Sequence, residues 1–264
     1  MSQLGVEGLR AERAAFIDIA HSLSDDEWMA PSDCDGWVVR DVLGHMAANL
    51  HGVVDPSLMP DMSGGTEPAM EGPVAQRRTR PVTEVLAEYE EFSGMAADAF
   101  ATLQEPPMAD TMLPMGDLGT HPMSILANTF LFDVYCHLRI DILQPFGPID
   151  RTEPPRDEMR LRPTVEWMLA GLPWMCANEL AFMDRPIVLQ LEGPGGVTCT
   201  VHPHGAQGQV DIVPGADSGA AATVSSTDHD FVVWGTKRRP WDGFVKVDGD
   251  DAYAARVLNA MNII

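Results

Sequence analysis

Positive charge is scarce in this chain. Among 264 residues, 17 are Lys or Arg against 39 Asp or Glu, a formal charge of −22. Only Lys237 and Lys246 are lysines, and both fall in the last 28 residues of the sequence. A surface this acidic repels phosphate backbones and anionic lipid, which excludes nucleic-acid and membrane-surface partners and leaves a small molecule as the expected one. The four cysteines, Cys34, Cys136, Cys176 and Cys199, form no C-x-x-C pair and are too sparse for a disulfide framework. No run approaches the roughly 18 apolar residues of a membrane span. The first residues, MSQLGVEGLRAERAAF, have neither the basic nor the apolar part of a signal peptide. The expectation is a soluble, cytoplasmic, reduced protein, monomeric or homodimeric.

Hydrophobic residues make up 45% of the chain, enough for substantial cores, and the length accommodates two domains. Helical periodicity marks residues 4–24, 37–54, 82–103 and 120–143. Thr120 is read as an N-cap, with Pro122 close behind it. The stretch from about 56 to 81, rich in Pro, Gly and Met and carrying Arg77, Arg78 and Arg80, reads as a long irregular loop. Four helices joined mostly by loops predict an up-and-down four-helix bundle over 1–150. From Pro145 to Pro163 periodicity is lost. A further helix is expected at 164–183. Period-two segments at 187–191, 197–201, 209–213 and 221–225 then alternate with Gly and Pro turns. A short helix follows Asp228, and the last runs over 250–262. Residues 151–264 are therefore expected to form a small α+β domain, and the whole chain an α+β protein.

The chemistry gathers on two helices. Val38, Val42, His45 and Asn49 share one stripe, which puts His45 on the inward face. On the fourth helix Asp133 and His137, four residues apart, project from the same apolar stripe. A carboxylate there needs compensation. Two readings stand on spacing alone. One is a divalent cation held by His45, Asp133 and His137, two imidazoles and a carboxylate that leave positions open for a small ligand. The other is a buried Asp–His hydrogen bond with His45 as an unrelated core residue. Asp141, one turn past His137, is a candidate to orient a ligand. Cys136 is expected in the core and His51 at a surface or helix end. His121 is placed at a helix start, and His202 and His204 flank a turn.

The segment Asp35-Gly-Trp-Val-Val-Arg-Asp-Val-Leu-Gly-His45 resembles the Gly-Trp-x-Val-x-Asp-(Val/Leu)-x-x-His segment of the DinB-like, mycothiol-dependent maleylpyruvate isomerase family. Asp26-Glu-Trp28 before it is similar to the tryptophan closing that family's first helix. The resemblance continues in Phe231-Val-Val-Trp234-Gly-Thr-Lys-Arg-Arg-Pro-Trp241, in Val245 to Asp250, and in Arg256-Val-Leu-Asn-Ala260. It implies a DinB-like bundle followed by a sterol-carrier-protein-like α+β domain. It also implies a divalent metal, zinc above all, on His45, Asp133 and His137, with aspartate where the family has glutamate. Its functional arginine falls at Arg238, with Lys237 in place of the usual glycine and Arg239 one register away. The implied function is a metal-dependent isomerase or thiol transferase that uses mycothiol on a small anionic electrophile. A thiol-independent metalloenzyme and a non-catalytic small-molecule-binding protein on the same scaffold are the alternatives.

Overall fold

Apolar residues at helical spacing organise the first half of the chain into long helices. In the computed structural model, which describes residues 3–203 and 209–263, α1 spans Gln3–His21 and a short α2 spans Asp25–Trp28. Ser24 and Glu27 cap α2 reciprocally: the Ser24 N–H donates to Glu27 Oε2 at 2.8 Å, and the Glu27 N–H to Ser24 Oγ at 3.3 Å. Helix α3 follows at Val39–Val54, with Asp41 Oδ2 accepting from the Val38 N–H at 3.1 Å. The chain divides into two compact units, Met1–Pro155 and Arg156–Ile264.

The stretch 56–81 is not the irregular loop that its composition suggests. Thr66–Arg78 forms α4. Its first turn is capped from a distant loop, where Asp117 Oδ2 accepts from the Thr66 N–H at 3.1 Å and Oδ1 from the Thr66 hydroxyl at 2.5 Å. A cap from 51 positions away leaves no local signature. The three arginines are each ion-paired. Arg78 bridges Asp41 at 3.0 Å and Glu71 at 2.6 Å. Arg77 and Arg80 both bind Glu88 of α5 (Val82–Thr102).

Expected as one helix, residues 120–143 are built in pieces. Met112–Pro114 (β1) and Thr120–Pro122 (β2) form an antiparallel ribbon that places Leu113 opposite His121. After one tight turn, Leu126–Cys136 forms α6. His137–Ile142 then widens into a π-helical turn, in which the Leu143 N–H reaches back to Leu138 O at 3.0 Å. Leu9 and Phe16 of α1, Met46 and Leu50 of α3, Tyr89 and Phe100 of α5, and Leu131 of α6 form one buried cluster. These four helices are the bundle.

Glu88 ties α4 to this bundle and gives the fold a pH dependence. His51, in the last turn of α3 as expected of a helix-end residue, is partly buried: its Nδ1 lies 2.7 Å from Glu88 Oε1, and its ring stacks on Phe92 at 3.5 Å between centroids. Burial pushes the Glu88 carboxyl up, but hydrogen bonds from His51, Arg77 and Arg80 outweigh it and hold it below the usual range. The stabilisation is complete above the unfolded value of about 4.3 and fades as pH falls through the lower folded one. Glu88→Gln is expected to cost about 2 kcal/mol at pH 7 in urea unfolding. The gap to the unsubstituted protein should shrink as pH falls below about 4. A gap independent of pH would exclude this account.

The second unit opens with α7 (Glu158–Met175), capped by Asp157, whose carboxylate accepts from the Arg160 N–H at 3.2 Å. The helix thus starts earlier and ends sooner than the apolar pattern alone indicates. Its sheet comprises β3 (Ile187–Glu192), β4 (Val197–His202), β5 (Asp211–Pro214), β6 (Ala222–Thr227) and β7 (Lys246–Gly249) in the order β5-β4-β3-β6-β7. Only the β3–β6 pair is parallel. Asp228 fastens the turn between β3 and β4 by accepting from the Gly195 N–H at 2.6 Å. Helices α8 (Asp228–Gly235) and α9 (Asp251–Ala260) bury Phe231, Trp234, Val257 and Leu258. Among the described residues, no helix is long and apolar enough to cross a membrane. A helical unit followed by a small sheet unit makes the protein α+β.

Candidate metal centre

Three side chains from two helices converge inside the first unit. On α3, His45 follows two buried residues, Leu43 and Gly44, and its Nε2 lies 3.2 Å from Asp133 Oδ1 on α6. His137, the first residue of the π turn, brings its Nε2 within 3.5 Å of the same oxygen. The two imidazole rings meet edge to face, 4.8 Å between centroids. Their side chains are 12%, 20% and 10% exposed for His45, Asp133 and His137, so the cluster is sunk but reachable. All three donor atoms lie within 4.8 Å of one another.

This donor set fits a cation. Ligand atoms around a four-coordinate ion with bonds of about 2.1 Å stand roughly 3.4 Å apart, close to the two spacings from Asp133 Oδ1. Asp133 Oδ2 is buried without a hydrogen-bond partner, as is His45 Nδ1. Buried carboxylate oxygens of this kind are normally satisfied, and a bound cation would satisfy the Asp133 group. Burial opposes the charged forms of both Asp133 and His137. At Asp133 the His45 charge and the hydrogen bonds of both histidines outweigh it and hold the carboxyl far below its usual range. At His137, hydrogen bonds to Asp133, Asp141 and Cys34 raise the imidazole well above its usual value.

Asp141 sets the direction in which His137 faces. Its Oδ2 lies 2.7 Å from His137 Nδ1, so that nitrogen carries the hydrogen and donates, leaving Nε2 toward Asp133 and His45. Asp141 itself is wholly buried, and its carbonyl accepts from the Asp33 N–H at 2.9 Å, which fixes the loop before α3. That loop carries Cys34, whose Sγ is 3.8 Å from His137 Nδ1. Cys34, His137 and Asp141 also have donor atoms close enough to hold an ion. Nothing in the spacing of Cys34 marks it, because only the fold returns its loop to the π turn. Trp37 walls the other side, 5.3 Å from the His45 ring, with its Nε1 donating to Glu71 at 3.1 Å.

The remaining candidates lie elsewhere. Cys136 is buried in the core. His121 is buried and donates to the Leu118 carbonyl at 2.8 Å. His202 faces Asp217 at 3.6 Å, and His204 lies outside the described residues. Arg238 is half-buried in the turn after α8 in the second unit. Before it, Lys237 is the one non-glycine described residue with positive φ, 55°, the left-handed position that ends many helices.

Residues 9–139 match the family model described as the mycothiol maleylpyruvate isomerase N-terminal domain. This half of the chain belongs to that domain family. The match covers the maleylpyruvate isomerase-type bundle from α1 to the π turn and contains His45, Asp133 and His137. The fold is similar to the crystal structure of a mycothiol-dependent maleylpyruvate isomerase, with a TM-score of 0.59 and 16% identity over 92% of this chain and 91% of that one. A histidine-to-alanine mutant of a mycothiol-dependent maleylpyruvate isomerase is similar as well, with a TM-score of 0.54 and 15% identity over the same shares. At these identities the likeness is one of fold. No curated protein matches the chain in sequence.

Proposed function

We propose that this protein is a metal- and mycothiol-dependent enzyme of the isomerase or thiol-transferase type, acting on a small anionic electrophile. The observation that carries the reading is the meeting of His45 Nε2, Asp133 Oδ1 and His137 Nε2, at 3.2 and 3.5 Å, in a partly open hollow of the bundle. These three residues would hold a divalent cation, with zinc the best match to two imidazoles and a carboxylate. Bound there, such an ion supplies a Lewis acid that keeps a small thiol anionic at neutral pH. Asp141 holds His137 in the tautomer that presents Nε2. Trp37 and the Cys34 loop wall the hollow. Arg238 is the residue for the substrate carboxylate, which a guanidinium binds through paired hydrogen bonds. The left-handed φ of Lys237 supports that assignment over Arg239, because a residue at this position stands where the family motif has its glycine.

The experiment is a turnover assay of purified protein on maleylpyruvate, with and without mycothiol, alongside metal analysis. Expected are one divalent ion per chain and product only when the thiol is added. Arg238→Ala should raise KM about tenfold or more while the metal content stays unchanged. Turnover that ignores the thiol would assign the scaffold to thiol-independent chemistry. Tight ligand binding without product would make it a binding protein.

A further inference from the structure

One polar side chain at the centre is still without a task. Asn49 lies one turn beyond His45 on the same face of α3, and its carboxamide Nδ2 stands 3.0 Å from His45 Nε2. That nitrogen has a single lone pair in the plane of its ring. In the Nδ1–H tautomer that metal binding requires, Asn49 donates to this lone pair, and a cation held by His45 would take it instead. When the cation takes it, the Asn49 N–H must turn to whatever group occupies the position beside His45.

The neighbours say what that group is. Asp133 and Asp141 offer only acceptor oxygens. The other N–H groups facing the hollow are committed, His137 Nδ1 to Asp141 and Trp37 Nε1 to Glu71. His45 Nδ1 is on the far edge of its ring and is buried. Among the described residues, Asn49 is thus a neutral N–H donor beside His45 that becomes available on loading. It adds no charge and no competing ligand strength, which suits an anion that must remain reactive.

We propose that Asn49 is a binding residue for the thiol, donating through Nδ2–H to the anionic sulfur held beside His45. The proposal deepens the metal-and-thiol reading and rests on it. A hydrogen bond to the anion favours it over the neutral thiol, so Asn49 contributes to thiol affinity and not to metal affinity.

Cobalt(II)-loaded full-length protein tests this directly, because a thiol that reaches the metal adds a sulfur-to-cobalt charge-transfer band in the near ultraviolet. N-acetylcysteine serves as the probe. The unsubstituted protein, Asn49→Ala and the isosteric Asn49→Asp are each expected to bind one cobalt ion, with unchanged far-ultraviolet circular dichroism. The apparent Kd for the thiol should rise about tenfold in Asn49→Ala. It should rise further in Asn49→Asp, where a carboxylate faces the anion. An unaltered Kd in both variants overturns the assignment, and so does loss of cobalt from Asn49→Ala, which would make Asn49 a metal ligand. Absence of the band from the unsubstituted protein defeats the metal-and-thiol reading itself, and the role of Asn49 with it.

Discussion

Alanine at His137 is expected to leave the purified protein folded but without stoichiometric metal, and without thiol-dependent turnover. His137 supplies one of three donor atoms, and its Nε2 is 3.5 Å from the oxygen that both imidazoles share. Removing it leaves His45 and Asp133, two donors that cannot complete a three-ligand open site. Asn at position 141 should have a graded effect. Asp141 is not one of the three proposed ligands; it accepts from His137 Nδ1 at 2.7 Å and thereby fixes the ring and its tautomer. Loss of such a partner typically weakens metal binding roughly 10–100-fold. Chelator competition at pH 7 should therefore rank the unsubstituted protein above Asp141→Asn, and Asp141→Asn above His137→Ala. Equal affinity in all three would mean that the centre is a buried Asp–His hydrogen bond and nothing more.

The second large effect concerns stability. Arg139 belongs to the same π turn, and its side chain is fully buried, as is that of Glu12 on α1. Its guanidinium donates to both Glu12 oxygens, at 2.6 and 2.8 Å, to Glu153 at 2.9 Å, and to the carbonyls of Pro154 and Pro155 at 2.8 and 3.1 Å. It also lies over the Tyr135 ring, 4.4 Å from its centroid. Arg139→Met strips the buried Glu12 carboxylate of its two-point ion pair, and the expected loss is about 3–5 kcal/mol in denaturant unfolding. That is a large share of the roughly 5–15 kcal/mol available to a folded protein. Changing both partners, Glu12→Leu with Arg139→Met, should recover most of the loss, since a well-packed apolar pair replaces a buried ion pair at little cost. A double variant as unstable as the single one would show that the lost carbonyl contacts, and not the stranded charge, dominate.

The residues of the centre are legible in sequence for a local reason. A helix repeats every 3.6 residues, so Asp133 and His137 share a face whatever the rest of the chain does, and His45 announces itself as a polar residue on an apolar stripe. The same locality explains what was hidden. Helix α4 depends on a cap from Asp117, and the expected helix start at Thr120 became a strand because Met112–Pro114 pairs with it. Neither partner is near in sequence. His51, Arg77 and Arg80 look like separate surface charges until Glu88 draws them together.

By itself the sequence determined the α+β class, the bundle helices, the acidic surface and the three candidate ligands, because each follows from composition or from a period of a few residues. Only the tertiary structure decided that His45 faces Asp133, that a π turn aims Asp141 at His137, and that Asn49 reaches His45 while Cys34 reaches His137. Those facts are distances between residues up to about a hundred positions apart. They are set by helix packing and by long-range caps and ion pairs, to which a local pattern is blind.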